Sequence, residues 1–226
     1  WQSAEPWPPQ GVTTKTLYMH GDTSLSETPV TEAASRPYDV VFDATSGGTS
    51  RWVSLANVDG VMIGYPDRAR QTEPLLSYET EPFTDGLEIT GHPLLSLYMS
   101  VNATDAAIFA YLDDVAPDGT VRYITEGQLR ALFRKTAPED IRLYQEIGPH
   151  RTFTEESAAP RVPGKVEEYE IGILPISYFI QPGHRLRLSF AGADVGNFRQ
   201  LDGLADEWVI QHGGVYPSKL EIPVMP

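Results

Sequence analysis

Short apolar runs recur along the chain, and most are closed by Gly, Pro, Asp or Asn. That rhythm predicts strands joined by tight turns. Residues 94–102 read Leu-Leu-Ser-Leu-Tyr-Met-Ser-Val-Asn, the pattern of a strand buried largely on both faces. A second apolar run, 107–115, ends at Pro117-Asp118-Gly119. There Pro presets φ and Gly accepts a positive φ, so a reversal is expected. Gln181-Pro182-Gly183 repeats the signal before a run at 185–190. Further strands are expected at 16–20, 75–82, 121–124, 129–133, 168–173, 176–180, 208–211 and 219–224. Helical periodicity is scarce. Its best candidate is 138–147, where Ile141, Tyr144 and Ile147 recur three residues apart. The stretches 21–36, rich in Ser, Thr and Pro, and 45–73, with Gly47-Gly48 and Pro66, read as irregular. The expected fold is an all-β antiparallel sandwich or barrel with at most one or two short helices.

The chain has 226 residues, within the range of one β-sandwich. The most linker-like stretch is 68–74, but no boundary is placed there, and 1–226 is read as a single domain. At this length about 70% of the unfolded surface is buried on folding, so the core needs no covalent staple. Cys is absent, which excludes disulfides, thiolate metal sites and Cys nucleophiles and leaves the compartment open. Asp and Glu number 31 against 17 Lys and Arg, a net charge of −14. That balance argues against nucleic acid and against an anionic membrane surface as partners. No run approaches the ~20 apolar residues of a membrane span. The start, Trp1-Gln2-Ser3-Ala4-Glu5-Pro6-Trp7, lacks the flank and apolar stretch of a signal peptide. With Trp1 rather than Met at its head, the chain reads as a fragment or processed product.

Candidate chemistry is thin. No Ser has Gly on both sides at a spacing of two, as a nucleophile elbow requires. Ser46 precedes Gly47-Gly48 but reads as part of a flexible loop. The histidines, His20, His92, His150, His184 and His212, have no spacing suited to a metal, and they read as turn or strand-end residues. Asp113, Asp114 and Asp118 are the densest acidic group near a turn, but they do not match an EF-hand loop. No metal and no cofactor is expected. Arg185 and Arg187 alternate with Leu186 and Leu188, so both guanidinia leave one face of a strand. If that strand runs beside Asp113 and Asp114, ion pairs can fix its register; the alternative is that both arginines face solvent. Trp1, Trp7, Trp52 and Trp208 are read as core or interface aromatics in preference to a sugar platform.

Six motifs, taken in order, carry a resemblance. They are Trp1 with Trp7-Pro8-Pro9; Pro66-Asp67-Arg68 with Tyr78-Glu79-Thr80-Glu81-Pro82; Leu87-Glu88-Ile89-Thr90-Gly91; Leu112-Asp113-Asp114-Val115-Ala116-Pro117-Asp118-Gly119 followed by Glu126-Gly127-Gln128-Leu129-Arg130; Pro182-Gly183-His184-Arg185-Leu186-Arg187-Leu188; and Pro217-Ser218-Lys219-Leu220 with Pro223-Val224. Together they resemble the C-terminal domain of the serine-hydrolase family that includes X-Pro dipeptidyl-peptidases, cocaine esterase and α-amino-acid ester hydrolases. Residues 162–174 match more loosely, and Glu139-Asp140 resembles a local insertion.

The resemblance implies a jelly-roll sandwich of the galactose-binding-like type. It makes Asp113, Asp114, Asp118, Gly119, Gly183, His184, Arg185 and Arg187 structural signature residues. The family's Ser-His-Asp triad belongs to an upstream α/β-hydrolase domain, so no catalytic residue is carried over. The implied role is an accessory module of a peptide- or ester-cleaving serine hydrolase, packed on the catalytic domain of the same polypeptide and limiting access to its pocket. Trp52, Val61, Met62, Ile63 and Tyr65 are the expected apolar contact. Two other roles stay open: a carbohydrate- or polymer-binding jelly roll, and a self-association module giving a homo-oligomer.

Overall fold

The computed structural model describes residues 7–52, 63–137 and 148–226. Thirteen named strands form two sheets. They are β1 (Thr13–Met19), β2 (Leu25–Ser26), β3 (Ala34–Asp39), β4 (Leu76–Glu79), β5 (Leu87–Gly91), β6 (Leu94–Val101), β7 (Ala107–Val115), β8 (Val121–Arg130), β9 (Glu167–Gly172), β10 (Ile176–Ile180), β11 (Arg185–Ala191), β12 (Glu207–His212) and β13 (Lys219–Val224). Helix among the described residues includes the single turn α1 (Ala69–Thr72) and the 3-10 turns Ala131–Phe133 and Glu155–Ser157. The fold is an all-β sandwich.

The larger sheet runs β10-β5-β13-β6-β12-β3, with β1 against β13 and β9 against β6. The smaller runs β4-β11-β7-β8. Every strand-to-strand ladder is antiparallel. Alternation along each strand then sorts the side chains by face. Leu95, Leu97, Met99 and Val101 of β6 meet Leu186, Leu188 and Phe190 of β11 and Ile108, Ala110 and Leu112 of β7 in one core. Trp208, Tyr78 and Tyr169 fill its bulkiest positions.

The smaller sheet is not open on its other side. Phe109, Tyr111 and Tyr123 point away from the main core into a second cluster with Ala44, Leu75 and Ala191. Val41, Tyr65 and Phe198 cover them. The segments 41–52 and 63–68 therefore form a lid over this face, together with the loop after β11.

Several expectations change. The runs 121–124 and 129–133 are one strand, β8, passing into a 3-10 turn. Thr125 and Glu126, which interrupt the apolar pattern, are fully buried within it. Strands β2 and β3 lie in or beside the stretch expected to be irregular. Pro37 sits within β3, which pairs on one side with β12 at the end of the sheet order; an edge tolerates a missing N–H. The stretch 68–74 is no linker, since Arg68 and Thr72 are buried and α1 occupies it. The helix expected at 138–147 and the insertion at Glu139-Asp140 lie outside the described residues, as does Trp1.

Candidate functional site

β11 lies between β4 and β7, so Arg187 has Glu79 directly opposite on one side and Asp113 on the other. The strand adjacency is the one anticipated for the arginines, but the ion pairs differ. Arg187 Nε donates to Glu79 Oε1 at 2.7 Å and its Nη1 donates to Thr72 Oγ1 at 2.9 Å. Arg185 Nη1 reaches the other Glu79 oxygen, also at 2.7 Å. Glu79 thus takes both arginines because their long stems carry the guanidinia toward β4. Asp113 pairs instead with Arg68, whose Nη1 donates to Oδ1 at 2.8 Å.

Asp113 is fully buried and Arg68 is 2% exposed. The Arg68 guanidinium also lies over the Tyr111 ring, 4.6 Å from its centroid, a contact strengthened by desolvation. Burial pushes the Asp113 carboxyl above its ordinary range, while Arg68 and Arg187 act in the opposite direction. Arg68 is placed by its own backbone: its N–H donates to the Val121 carbonyl at 2.9 Å. Asp67 Oδ1 accepts the backbone N–H groups of Val121 and Ala69. The Pro66-Asp67-Arg68 motif therefore pins the covering segment to the start of β8.

Asp114 points to the opposite face of β7 from Asp113, as alternation requires. Its carboxylate accepts Tyr178 Oη–H at 2.8 Å and lies 2.7 Å from His184 Nδ1. Asp118 and Gly119 stay in their turn. Gly119 has φ +88°, and Asp118 Oδ1 accepts the Thr120 N–H. Gly183 has φ +81° and donates its N–H to Phe83 O at 2.7 Å. These three carboxylates do not converge. Among the described residues no group of three or more His, Asp or Glu is placed to hold a metal ion.

The second cluster builds from Trp52. Its indole N–H donates to Glu126 Oε1 at 2.6 Å, and its ring meets Phe198 edge-on at 4.9 Å. Phe198 in turn meets Phe109 at 5.1 Å. Tyr65 stacks on Tyr123 with ring centroids 3.9 Å apart, and its hydroxyl accepts the Arg51 N–H. Glu126 has no exposed surface, and burial raises its carboxyl, opposed by Tyr123, Trp52 and Arg51. Glu126 Oε2, Asp113 Oδ2 and the hydroxyls of Tyr111 and Tyr123 are buried without a hydrogen-bond partner among the described residues. On the rim of the same lobe, Ile63 is 55% and Val195 49% exposed. Of the five contact residues expected from sequence, Trp52, Ile63 and Tyr65 flank this cluster; Val61 and Met62 lie outside the described residues. Arg68, Glu79, Glu126 and Asp194 were not singled out by sequence. Their only signal was membership of quoted motifs or of polar loops, neither of which announces burial.

Ser46 is buried, not on a flexible loop. Its N–H and Oγ–H donate to Asp194 at 2.8 and 2.6 Å, and Asn197 Nδ2 donates to its Oγ. Ser26 Oγ lies 2.9 Å from His20 Nε2, a nitrogen that is also 3.1 Å from the Thr28 carbonyl. Among the described residues, neither arrangement completes a Ser-His-carboxylate relay. Trp208 is fully buried, Trp52 is half-buried against Phe198 and Glu126, and Trp7 is exposed with its indole N–H on His92 Nε2.

The architecture is that of a β-sandwich module with one sheet face roofed by its own loops. The family described as the X-Pro dipeptidyl-peptidase C-terminal non-catalytic domain matches residues 1–200, and the chain belongs to it. It is 38% identical over all 226 residues to a putative serine esterase of Mycobacterium bovis, spanning 36% of that protein's length. Over 130 residues, or 58% of the chain, it is 30% identical to cocaine esterase of a Rhodococcus species, covering 19% of that protein. Its fold matches that of a CocE/NonD family hydrolase from Staphylococcus aureus with a TM-score of 0.72 at 18% identity, covering 100% of this chain and 38% of the other. An aminopeptidase from a Thaumarchaeota archaeon gives 0.73 at 21% identity, covering 100% of this chain and 39% of that one. The chain thus spans a little over a third of the length of the mycobacterial esterase and of the two solved chains.

Proposed function

We propose that this chain is the accessory module of a serine hydrolase acting on peptide or ester bonds, and that it packs on an α/β-hydrolase domain of the same polypeptide. The observation that carries the reading is the alignment with a putative serine esterase, complete along this chain yet confined to 36% of that protein. The triad Ser, His and Asp would then come from the remaining part: the Ser attacking the carbonyl, the His moving its proton, and the Asp orienting the His. The lobe around Trp52, Ile63 and Tyr65 supplies the contact, a roofed face whose rim presents Ile63 and Val195 to solvent. Residues 1–226 act as one unit in this role. Placed beside the catalytic pocket, the lobe limits which substrates enter, in line with the preference of small-molecule sites for domain interfaces.

The test has two parts. The purified chain is assayed on Gly-Pro p-nitroanilide and p-nitrophenyl butyrate beside the full-length parent, with turnover expected from the parent alone. Deuterium exchange at residues 49–52 and 63–68 is then measured with and without the hydrolase part. Protection there is expected. Exchange unchanged on adding that part, or turnover by the isolated chain that one Ser substitution abolishes, overturns the reading.

A further inference from the structure

Beyond the lid, at the start of β7, the smaller sheet opens into a half-enclosed cleft of about 220 Å³. Phe109, Leu129, Phe198, Leu201 and Leu204 give it an apolar wall. Its polar groups are few, and they differ in how free they are. Asp194 turns its carboxylate away, onto Ser46 and Asn197. Arg130 is held by Asp105, Nε to Oδ2 at 2.5 Å. Gln128 has a buried side-chain nitrogen with no hydrogen-bond partner. Arg199 is exposed, lines the cleft, and forms no ion pair among the described residues. A free guanidinium is notable on a chain of net charge −14, where acidic neighbours are abundant.

An apolar cavity of about 150 Å³ takes a benzene-sized guest. This cleft adds room for a short head group and sets a cation among its lining residues. We propose that it is a binding site for a small amphiphilic carboxylate, an aryl- or short alkyl-carboxylic acid. The apolar body lies between Phe109, Phe198 and Leu204. The carboxylate accepts from Arg199, which suits a fork-shaped donor. A neutral ligand of the same shape gains the apolar contact but leaves Arg199 unanswered. The inference stands on the cleft itself and is independent of the role proposed for the whole chain.

The 226-residue chain, labelled with ¹⁵N, is titrated with sodium phenylacetate and, separately, with neutral phenylacetamide. The expected result is a saturable set of amide shifts confined to residues 107–109, 128–130 and 192–204. Phenylacetamide and the Arg199→Gln variant each bind about tenfold more weakly or worse. Leu201→Trp, which fills the cleft, removes the response. Arg199 is exposed and unpaired, so its replacement leaves the rest of the spectrum in place. If Leu201→Trp fails to fold, the amide and Arg199→Gln comparisons decide alone. No saturable response to phenylacetate, or equal binding of acid and amide together with an unaffected Arg199→Gln variant, overturns the proposal.

Discussion

Asp113 and Arg68 meet out of reach of water, and each charge there depends on the other. Breaking such a pair from one side is costly, about 3–5 kcal/mol, because it leaves an uncompensated buried charge. Arg68→Met is therefore expected to lose about that much stability in urea unfolding, while Arg68→Met with Asp113→Leu recovers most of it. A double variant as unstable as the single would mean that the pair is not what Arg68 supplies. His212 presents the converse case. Its side chain is fully buried, with Tyr78 Oη 2.9 Å from Nε2 and no partner for Nδ1 among the described residues. Burial, assisted by Arg36 and His20 and opposed by Asp22, lowers its pKa to about 4. The unfolded chain then takes up the proton first as pH falls. The contribution of neutral His212 is present above the ordinary value of about 6.5 and is lost progressively toward pH 4, by roughly 3 kcal/mol. Unfolding at stepped pH, compared with His212→Gln, isolates it. The difference between the two should be flat above pH 7 and change between pH 6.5 and 4. Asp113 and Glu126, whose values are raised, act with the opposite sign and cancel in that comparison.

Among the elements, β8 shows how much of the structure the sequence carries. Apolar runs located most strands, because β6 and β7 are buried at nearly every position while β10, β11 and β13 begin with a buried-versus-wetter alternation. They divided β8 because Glu126 is buried beneath a lid that only the tertiary fold supplies, and Thr125 is buried with its hydroxyl on the Leu174 carbonyl. Edge strand β3 escaped notice for the related reason that pairing along one side demands little of its composition. The site was legible at the level of strands: Asp113 and Arg187 face each other across β7 and β11. The partner that Asp113 takes was not, since Arg68 arrives from a distant loop. Gly127 of β8 has its own steric reason. A Cβ there would lie 2.8 Å from the Gly172 carbonyl and 3.0 Å from Ile171, where β8 approaches β9 of the other sheet. Gly127→Val is expected to destabilise by about 1–3 kcal/mol through overpacking. Gly48→Ala, with open space around it, should stay within about 0.5 kcal/mol. Equal denaturation midpoints for the two variants would show that the sheets separate freely at β9.

At the scale of the molecule, the question is which contacts hold the module together and which are left for a partner. Trp52, Tyr65 and Phe198 belong to the first group, since each already meets an aromatic ring of the lid or of the sheet beneath it. Ile63 and Val195 belong to the second: about half of each remains in water in the isolated chain. Burying an apolar side chain stabilises by about 1.5–3 kcal/mol when complete, so two half-exposed ones retain enough unspent surface to matter in docking. Replacing both with Asp adds charge where they meet solvent, and the isolated chain should keep its unfolding free energy within about 0.5 kcal/mol per site. Binding to the proposed hydrolase domain, followed by calorimetry, should weaken by at least about tenfold, or ~1.4 kcal/mol. Trp52→Ala is the contrasting variant. It removes the donor to buried Glu126 as well as the ring against Phe198, so it should lower stability and docking together. If instead the Asp pair unfolds the module, Ile63 and Val195 are part of its own packing. If the Asp pair leaves binding unchanged, the docking face lies elsewhere on the sandwich.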